Sequence, residues 1–153
     1  MQTNIICVGK LKETYFINTQ KEYEKRLSKF TSLNIIEVND EKIQDKPTNT
    51  QIEIVKNKEG EKILKNIQKG FTIFPLSKDG KSYDSHNFSK VISNNAKCTF
   101  IIGGSVGLSN NILSHGHNIS FSTLTFPHQL MRIILLEQIF RSYKIINNEP
   151  YHK

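Results

Sequence analysis

Two short stretches rich in glycine and hydroxyl side chains hold the residues of this 153-residue chain whose types and spacing could do chemistry. In the first, Cys98-Thr99-Phe100-Ile101-Ile102 runs into Gly103-Gly104-Ser105-Val106-Gly107-Leu108. An apolar run stopped by a glycine pair predicts a buried strand ending in a tight turn. Ser109 is then a plausible N-cap for a helix beginning at Asn110. Gly103 to Leu108 would thus be a strand-to-helix loop at the carboxyl edge of a sheet, where open α/β sheets bind ligands. Glycines there allow positive φ or a close approach of backbone to a ligand. The spacing is neither G-x-G-x-x-G nor a P-loop, so the usual phosphate cradles do not fit. A Gly-Gly turn that only ends a strand is the plainer alternative.

The second stretch, Ser120-Phe121-Ser122-Thr123-Leu124-Thr125-Phe126-Pro127-His128-Gln129, sets small hydroxyls and apolar side chains on a loop leading into a helix. Together with Leu76 and Gly103 it could enclose a flat heterocycle between apolar groups, with loop backbone reading its edges. Such a pocket suits an adenosine without phosphates. Phe121, Leu124 and Phe126 as plain core residues are the competing reading.

The elements that must position these loops follow from periodicity. Asn4 to Val8 predicts a first strand ended by Gly9, and Lys12 to Phe30 a helix with Phe16, Tyr23, Leu27 and Phe30 at helical spacing. Leu33 to Val38 is a second strand and Asn39 to Asn49 a polar loop. Thr50 and Glu53 predict a capping box for a second helix, with Gly70 as its C′ stop. Phe71 to Leu76 is a third strand, followed by a turn over Ser77 to Lys81. A short helix spans Ser85 to Asn95, Cys98 to Ile102 is the fourth strand, and Ile119 to Ser122 the fifth. Alternating strands and helices predict a single α/β domain over residues 1–153, with a mostly parallel sheet flanked by helices. The run from His128 to Ile146 is apolar around most of its circumference, which predicts a helix covered on two sides and hence a homodimer through it.

Composition bounds the partners. The apolar fraction is 37% and the charged fraction 23%, with no apolar run of membrane-spanning length and no signal-peptide pattern, so a cytoplasmic location without membrane partners is expected. Cys7 and Cys98 fall inside predicted strands without a C-x-x-C pair, so packing rather than a disulfide or metal is expected. The formal net charge of +7 fits a polyanionic partner such as nucleic acid, although charge alone does not decide it. Lysines between Lys42 and Lys69 suit a solvated helix face.

Nearly the whole chain resembles the ribosomal RNA large subunit methyltransferase H family, a branch of the knotted SPOUT methyltransferases. The resemblance is carried by Val8-Gly9-Lys10-Leu11-Lys12-Glu13, Tyr23-Glu24-Lys25-Arg26-Leu27, Ile101-Ile102-Gly103-Gly104-Ser105 and Gly107-Leu108. Its most specific parts are Thr125-Phe126-Pro127-His128-Gln129, Leu136-Glu137-Gln138, Arg141 and Pro150-Tyr151-His152-Lys153. Val106 and Ser77 depart from the family's usual polar and acidic residues beside the pocket.

The resemblance implies a homodimeric enzyme using S-adenosylmethionine, without a metal, to methylate N3 of a pseudouridine in large-subunit (23S) rRNA of the assembled ribosome. It also implies a C-terminal trefoil knot, which general topology would not suggest. By the same similarity Leu76, Gly103, Phe121, Ser122, Thr123, Leu124, Thr125 and Phe126 contact the cofactor. Tyr151 and His152 on the terminal tail, with Arg141, are the candidates for positioning the acceptor nucleotide, and His152 for a general base. Arg132 is a further candidate for phosphate or base contact, while His128 at a helix start is structural and His115 and His117 are exposed loop residues. Two alternatives remain open: a non-catalytic ribosome- or RNA-binding α/β protein in which the glycine loop is structural, and a SPOUT methyltransferase acting on tRNA.

Overall fold

A strand buried on both faces needs apolar side chains at consecutive positions, and two strands of this chain have them. In the computed structural model, which describes residues 1–153, these are β1 (Gln2–Val8) and β4 (Lys97–Ile102), and they lie side by side at the centre of the sheet. The remaining elements are α1 (Thr14–Leu27), β2 (Ser32–Val38), α2 (Asn49–Leu64), β3 (Thr72–Ser82), α3 (Ser85–Ser93), α4 (Asn110–Leu113), β5 (Ile119–Ser120) and α5 (His128–Ile146). The strand order is β2-β1-β4-β3-β5 and every neighbouring pair is parallel. This is the α/β architecture that the alternation of elements predicts.

Successive side chains of the central strands face opposite layers. Ile5, Cys7, Phe100 and Ile102 join Leu27 of α1, Phe88 and Ile92 of α3, and Leu135, Leu136, Ile139, Phe140 and Tyr143 of α5 in the larger core. Ile6, Val8 and Ile101 face Ile63 of α2 and Ile112 of α4 in the smaller one. The loops that follow β3, β4 and β5 therefore emerge together at one edge of a sheet held from both sides.

Several boundaries differ from the sequence-based expectation. Helix α1 stops at Leu27, and Phe30 lies in a turn whose amide donates to the Leu27 carbonyl. The capping box of α2 is built by Thr48 and Gln51, two residues before the expected pair: Thr48 Oγ1 accepts from the Gln51 amide at 3.2 Å and Gln51 Oε1 accepts from the Thr48 amide at 2.8 Å. Pro47 disfavours helix at the residue before it, so the helix opens directly after the proline. Gly70 does not cap α2, which ends at Leu64 through 3₁₀-type turns. At φ +84° it instead reverses the chain before β3.

The expected turn over Ser77 to Lys81 is an excursion within β3. Leu76 and Lys81 both register with Ile119, and the Lys81 amide donates to the Asn118 carbonyl at 2.9 Å. Gly80 permits this return, because a Cβ there would lie 2.7 Å from the backbone of Asn118 and Ile119. Strand β5 is two residues shorter than expected, since the Ser120 hydroxyl donates to the Ser122 carbonyl at 3.1 Å and turns the chain.

Candidate functional site

The loop after β4 is narrow because it folds on itself. The Gly107 amide donates to the Gly104 carbonyl at 3.2 Å, and Gly107 has φ +83°. A Cβ at Gly103 would lie 2.9 Å from the Gly107 carbonyl carbon and 3.1 Å from the Leu108 side chain, so any larger residue would open the loop. Ser109 closes it as the expected N-cap, with Oγ accepting from the Ile112 amide at 3.3 Å.

The loop after β5 is shaped by its own hydroxyls. Ser122 Oγ accepts from the Leu124 amide at 3.0 Å. Phe121 turns inward and meets Phe88 edge-on at 5.3 Å between ring centres. Leu124 turns outward and is 68% exposed, flanked by exposed Thr123 and Thr125, while Phe126 is half-buried. Leu76, half-buried at the end of the first part of β3, is in register with Ile119 at the root of this loop. Leu76, Gly103 and the 121–126 stretch thus come from three neighbouring loops at the sheet's carboxyl edge.

Neither the 103–111 segment nor the 119–127 segment has a charged side chain. A ligand with phosphates would lack counter-charges there, whereas a phosphate-free adenosine meets backbone groups, hydroxyls and apolar side chains. Leu124, a large apolar side chain without cover, gains most from such a ligand. The residues present fit S-adenosylmethionine on these grounds. A separate open groove of about 950 Å³, lined by residues such as Thr72, Lys81, Lys90 and Asn94, shares no residue with the 103–111 and 119–127 segments.

The start of α5 is tied to the end of β1. Gln129 Oε1 accepts from the Lys12 amide at 2.8 Å, and the left-handed Gly9, at φ +85°, packs against the His128 ring. Burial, and then the Arg132 cation, hold the His128 imidazole below the usual histidine range. Arg132 itself is 1% exposed and donates to the Gly9 carbonyl at 3.0 Å, Glu37 Oε2 at 2.9 Å and Gln20 Oε1 at 3.2 Å. It is therefore a structural cation fastening three elements, and the expectation that it meets RNA phosphate is overturned: its guanidinium has no solvent-facing donor.

The terminal tail folds back along α5 and assembles the other candidates. Arg141 pairs with Glu137 Oε1 at 2.6 Å, and its guanidinium lies 4.9 Å from the Tyr151 ring centre. Tyr151 packs edge-on against Phe140 and donates its hydroxyl proton to Glu137 Oε1 at 3.2 Å. Burial first, and then the neighbouring Tyr23 and Glu137, push the Tyr151 phenol up to about 12, which keeps it a neutral donor. Arg141 donates to His152 Nδ1 at 3.2 Å, leaving Nε2 as the other ring nitrogen of His152, whose ring stands edge-on to His86. Glu137 and His86 were given no role from sequence; the i,i+4 spacing of Glu137 and Arg141 was the available signal for the first. No group of three or more His, Cys, Asp or Glu side chains is disposed to hold a metal.

Over residues 1–152 the chain matches the family described as "Predicted SPOUT methyltransferase". It is 47% identical over 159 residues to a protein of Methanococcus vannielii named "Putative ribosomal RNA large subunit methyltransferase H", with both chains covered in full. Full-length similarity at 48% and 46% identity extends to proteins of Halothermothrix orenii and Clostridioides difficile, each named "Ribosomal RNA large subunit methyltransferase H".

Proposed function

The chain belongs to the SPOUT methyltransferase family, and from that premise we propose that it transfers a methyl group from S-adenosylmethionine to N3 of a pseudouridine in large-subunit rRNA. The observation that carries the reading is the meeting of two loops without charged side chains, rich in glycine and hydroxyls, beside Leu76 at the carboxyl edge of a parallel sheet, with the uncovered Leu124 among them. The assembled ribosome, in the cytoplasm, is the substrate. Within the α/β unit of residues 1–153, substrate shape and a net charge of +7 are the means of recognition.

When bound, S-adenosylmethionine supplies a methyl group already activated on a sulfonium. Leu76, Phe121, Leu124 and Phe126 provide apolar surfaces for the adenine, while Gly103 and the Ser122–Thr125 backbone read its edges. The chain's remaining task is alignment of the attacking nitrogen, which is worth about 7–11 kcal/mol at best. N3 also carries a proton at neutral pH. The Arg141 cation favours the deprotonated ring; because His152 Nδ1 accepts from Arg141, its Nε2 carries the imidazole proton, and the N3 proton would pass to Nδ1 once Arg141 turns from the histidine to the acceptor nucleotide. The neutral Tyr151 phenol serves as an orienting donor and stacking surface.

The region from β3 to β5 forms the trefoil knot of the family in this reading. Its support is the close passage of backbone at two glycines: a Cβ at Gly116 would lie 2.2 Å from the Ile73 carbonyl oxygen, and one at Gly80 would strike the backbone of Asn118 and Ile119. The half-buried Leu130, Ile133, Ile134 and Ile145 on α5 are the apolar surface for a second copy of the chain.

The experiment is label transfer from methyl-labelled S-adenosylmethionine to assembled ribosomes, separated subunits and naked rRNA, all from cells lacking the gene. Label in large-subunit rRNA, requiring the assembled ribosome, is the expected result. Cofactor binding without label in any sample would move the substrate elsewhere, and absence of cofactor binding would leave a non-catalytic RNA-binding protein.

A further inference from the structure

A buried carboxylate stands behind the glycine loop, on a helix whose charged residues suited a solvated face in the sequence. Glu59 of α2 is 3% exposed. Its Oε1 accepts from the Glu41 amide at 3.0 Å, which ties the chain after β2 to the helix. Its Oε2 is buried and has no hydrogen-bond partner. That oxygen faces the loop: a Cβ placed on Gly104 would lie 3.3 Å from Oε2 and 3.0 Å from Val8 Cγ1. The next residue, Gly60, seats α2 against the same loop, since a Cβ there would lie 2.8 Å from Ser109 Oγ.

A carboxylate oxygen buried without a donor is costly, and tying down Glu41 needs only one oxygen. A glutamine would serve that purpose without burying a charge. Burial holds the Glu59 carboxyl above the usual carboxylate range, with Asp40 and Glu41 adding to the effect and the Glu41 amide and Lys62 opposing it. The unpartnered oxygen points toward the one neighbouring segment that binds cofactor in the reading above.

We propose that Glu59 is a positioning residue for the Gly103–Leu108 loop, its Oε2 being the acceptor for a donor of Ser105 when that loop closes over S-adenosylmethionine. The inference rests on the methyltransferase reading. Gly104 is glycine, in this account, because the carboxylate must approach the loop backbone from behind. Glu59 touches neither cofactor nor RNA, and acts through the loop alone.

The test is calorimetric binding of S-adenosylhomocysteine to the full-length protein and to Glu59→Gln, with thermal melting and steady-state methyl transfer alongside. Glu59→Gln keeps the shape and the link to Glu41 but turns an amide N–H₂ toward the loop. The expected result is a melting point close to wild type, a Kd raised about ten- to a hundredfold, and kcat at saturating cofactor little changed. Wild-type affinity in a folded Glu59→Gln protein would overturn the assignment while leaving the methyltransferase reading intact. Failure of the wild type to bind S-adenosylhomocysteine would instead overturn that reading. Should Glu59→Gln not fold, Gly104→Ala keeps Glu59 in place and sets a methyl against Oε2. Weakened cofactor binding in that variant is expected, and wild-type binding would overturn the proposal.

Discussion

At the scale of single residues, burial decides what a side chain is free to do. Cys7 is 1% exposed and Cys98 2%, in the two central strands, and burial pushes their thiols up to about 12 and about 11. Neither forms thiolate at neutral pH. Both are therefore expected to be silent toward a thiol reagent such as dithionitrobenzoate at pH 8 in the native protein, and to react together once the chain is unfolded in guanidinium. Rapid reaction of either thiol in the native state would mean that the central strands open locally. The packing role of these cysteines was legible because each interrupts an apolar run without interrupting its pattern. Arg132 was not legible in the same way. It sits on a helix at a position where sequence allows an exposed cation, and only the convergence of Gly9, Gln20 and Glu37 from distant segments makes it a buried one. Glu59 was hidden for the opposite reason: surrounded in sequence by lysines, it has the pattern of a solvated face until β1 and the glycine loop are packed against it.

At the scale of elements, local signals placed the starts of α4 and α5, while the start of α2 lies two residues earlier than expected and tertiary pairing moved the ends. Ser109 caps α4 as expected because the whole cap is contained in four consecutive residues. His128 opens α5 directly after Pro127, again a local matter. The excursion within β3 depends on Ile119, some forty residues later, and no periodicity around Ser77 contains that information. Gly116 marks the same long-range crossing. An added methyl there would meet the Ile73 carbonyl oxygen at 2.2 Å, and the His117 amide already donates to that carbonyl at 2.9 Å, so backbone on both sides is fixed. Gly116→Ala is expected to lower stability by about 1–3 kcal/mol or more, measured as a reduced urea midpoint with an unchanged m-value. A neutral substitution would show that the segments from Ile73 and His117 can separate without loss, contrary to a tightly threaded crossing.

At the scale of the molecule, the parallel α/β class followed from alternation alone, and the apolar run Cys98–Ile102 marked β4 as a buried strand. The full order β2-β1-β4-β3-β5 was beyond reach, because strand neighbours are chosen by packing between segments that carry no local mark of it. The same limit applies to the candidate site: its loops are visible in sequence as stretches, while the relation of the tail to them is a property of the assembled chain. Glu137, Arg141, Tyr151 and His152 gather about 14–20 Å along the axis of α5 from the His128 end, where the candidate cofactor loop enters the helix. In the proposed homodimer, the tail cluster of one protomer would bridge that separation by completing the candidate cofactor site of its partner across the α5 face. Two variants separate this from a tail acting within its own chain: deletion of Tyr151 to Lys153, and Gly103→Val, whose side chain would force the glycine loop apart. Each homodimer is expected to be inactive in methyl transfer, the tail deletion retaining cofactor binding. When the two are co-refolded in equal amounts, random pairing gives one intact composite site in half of the dimers, or about a quarter of wild-type activity. Full activity of the tail deletion alone would remove the tail from the acceptor site. Inactive mixtures containing verified heterodimers would confine the tail's action to its own protomer, since neither chain then holds both an intact loop and an intact tail.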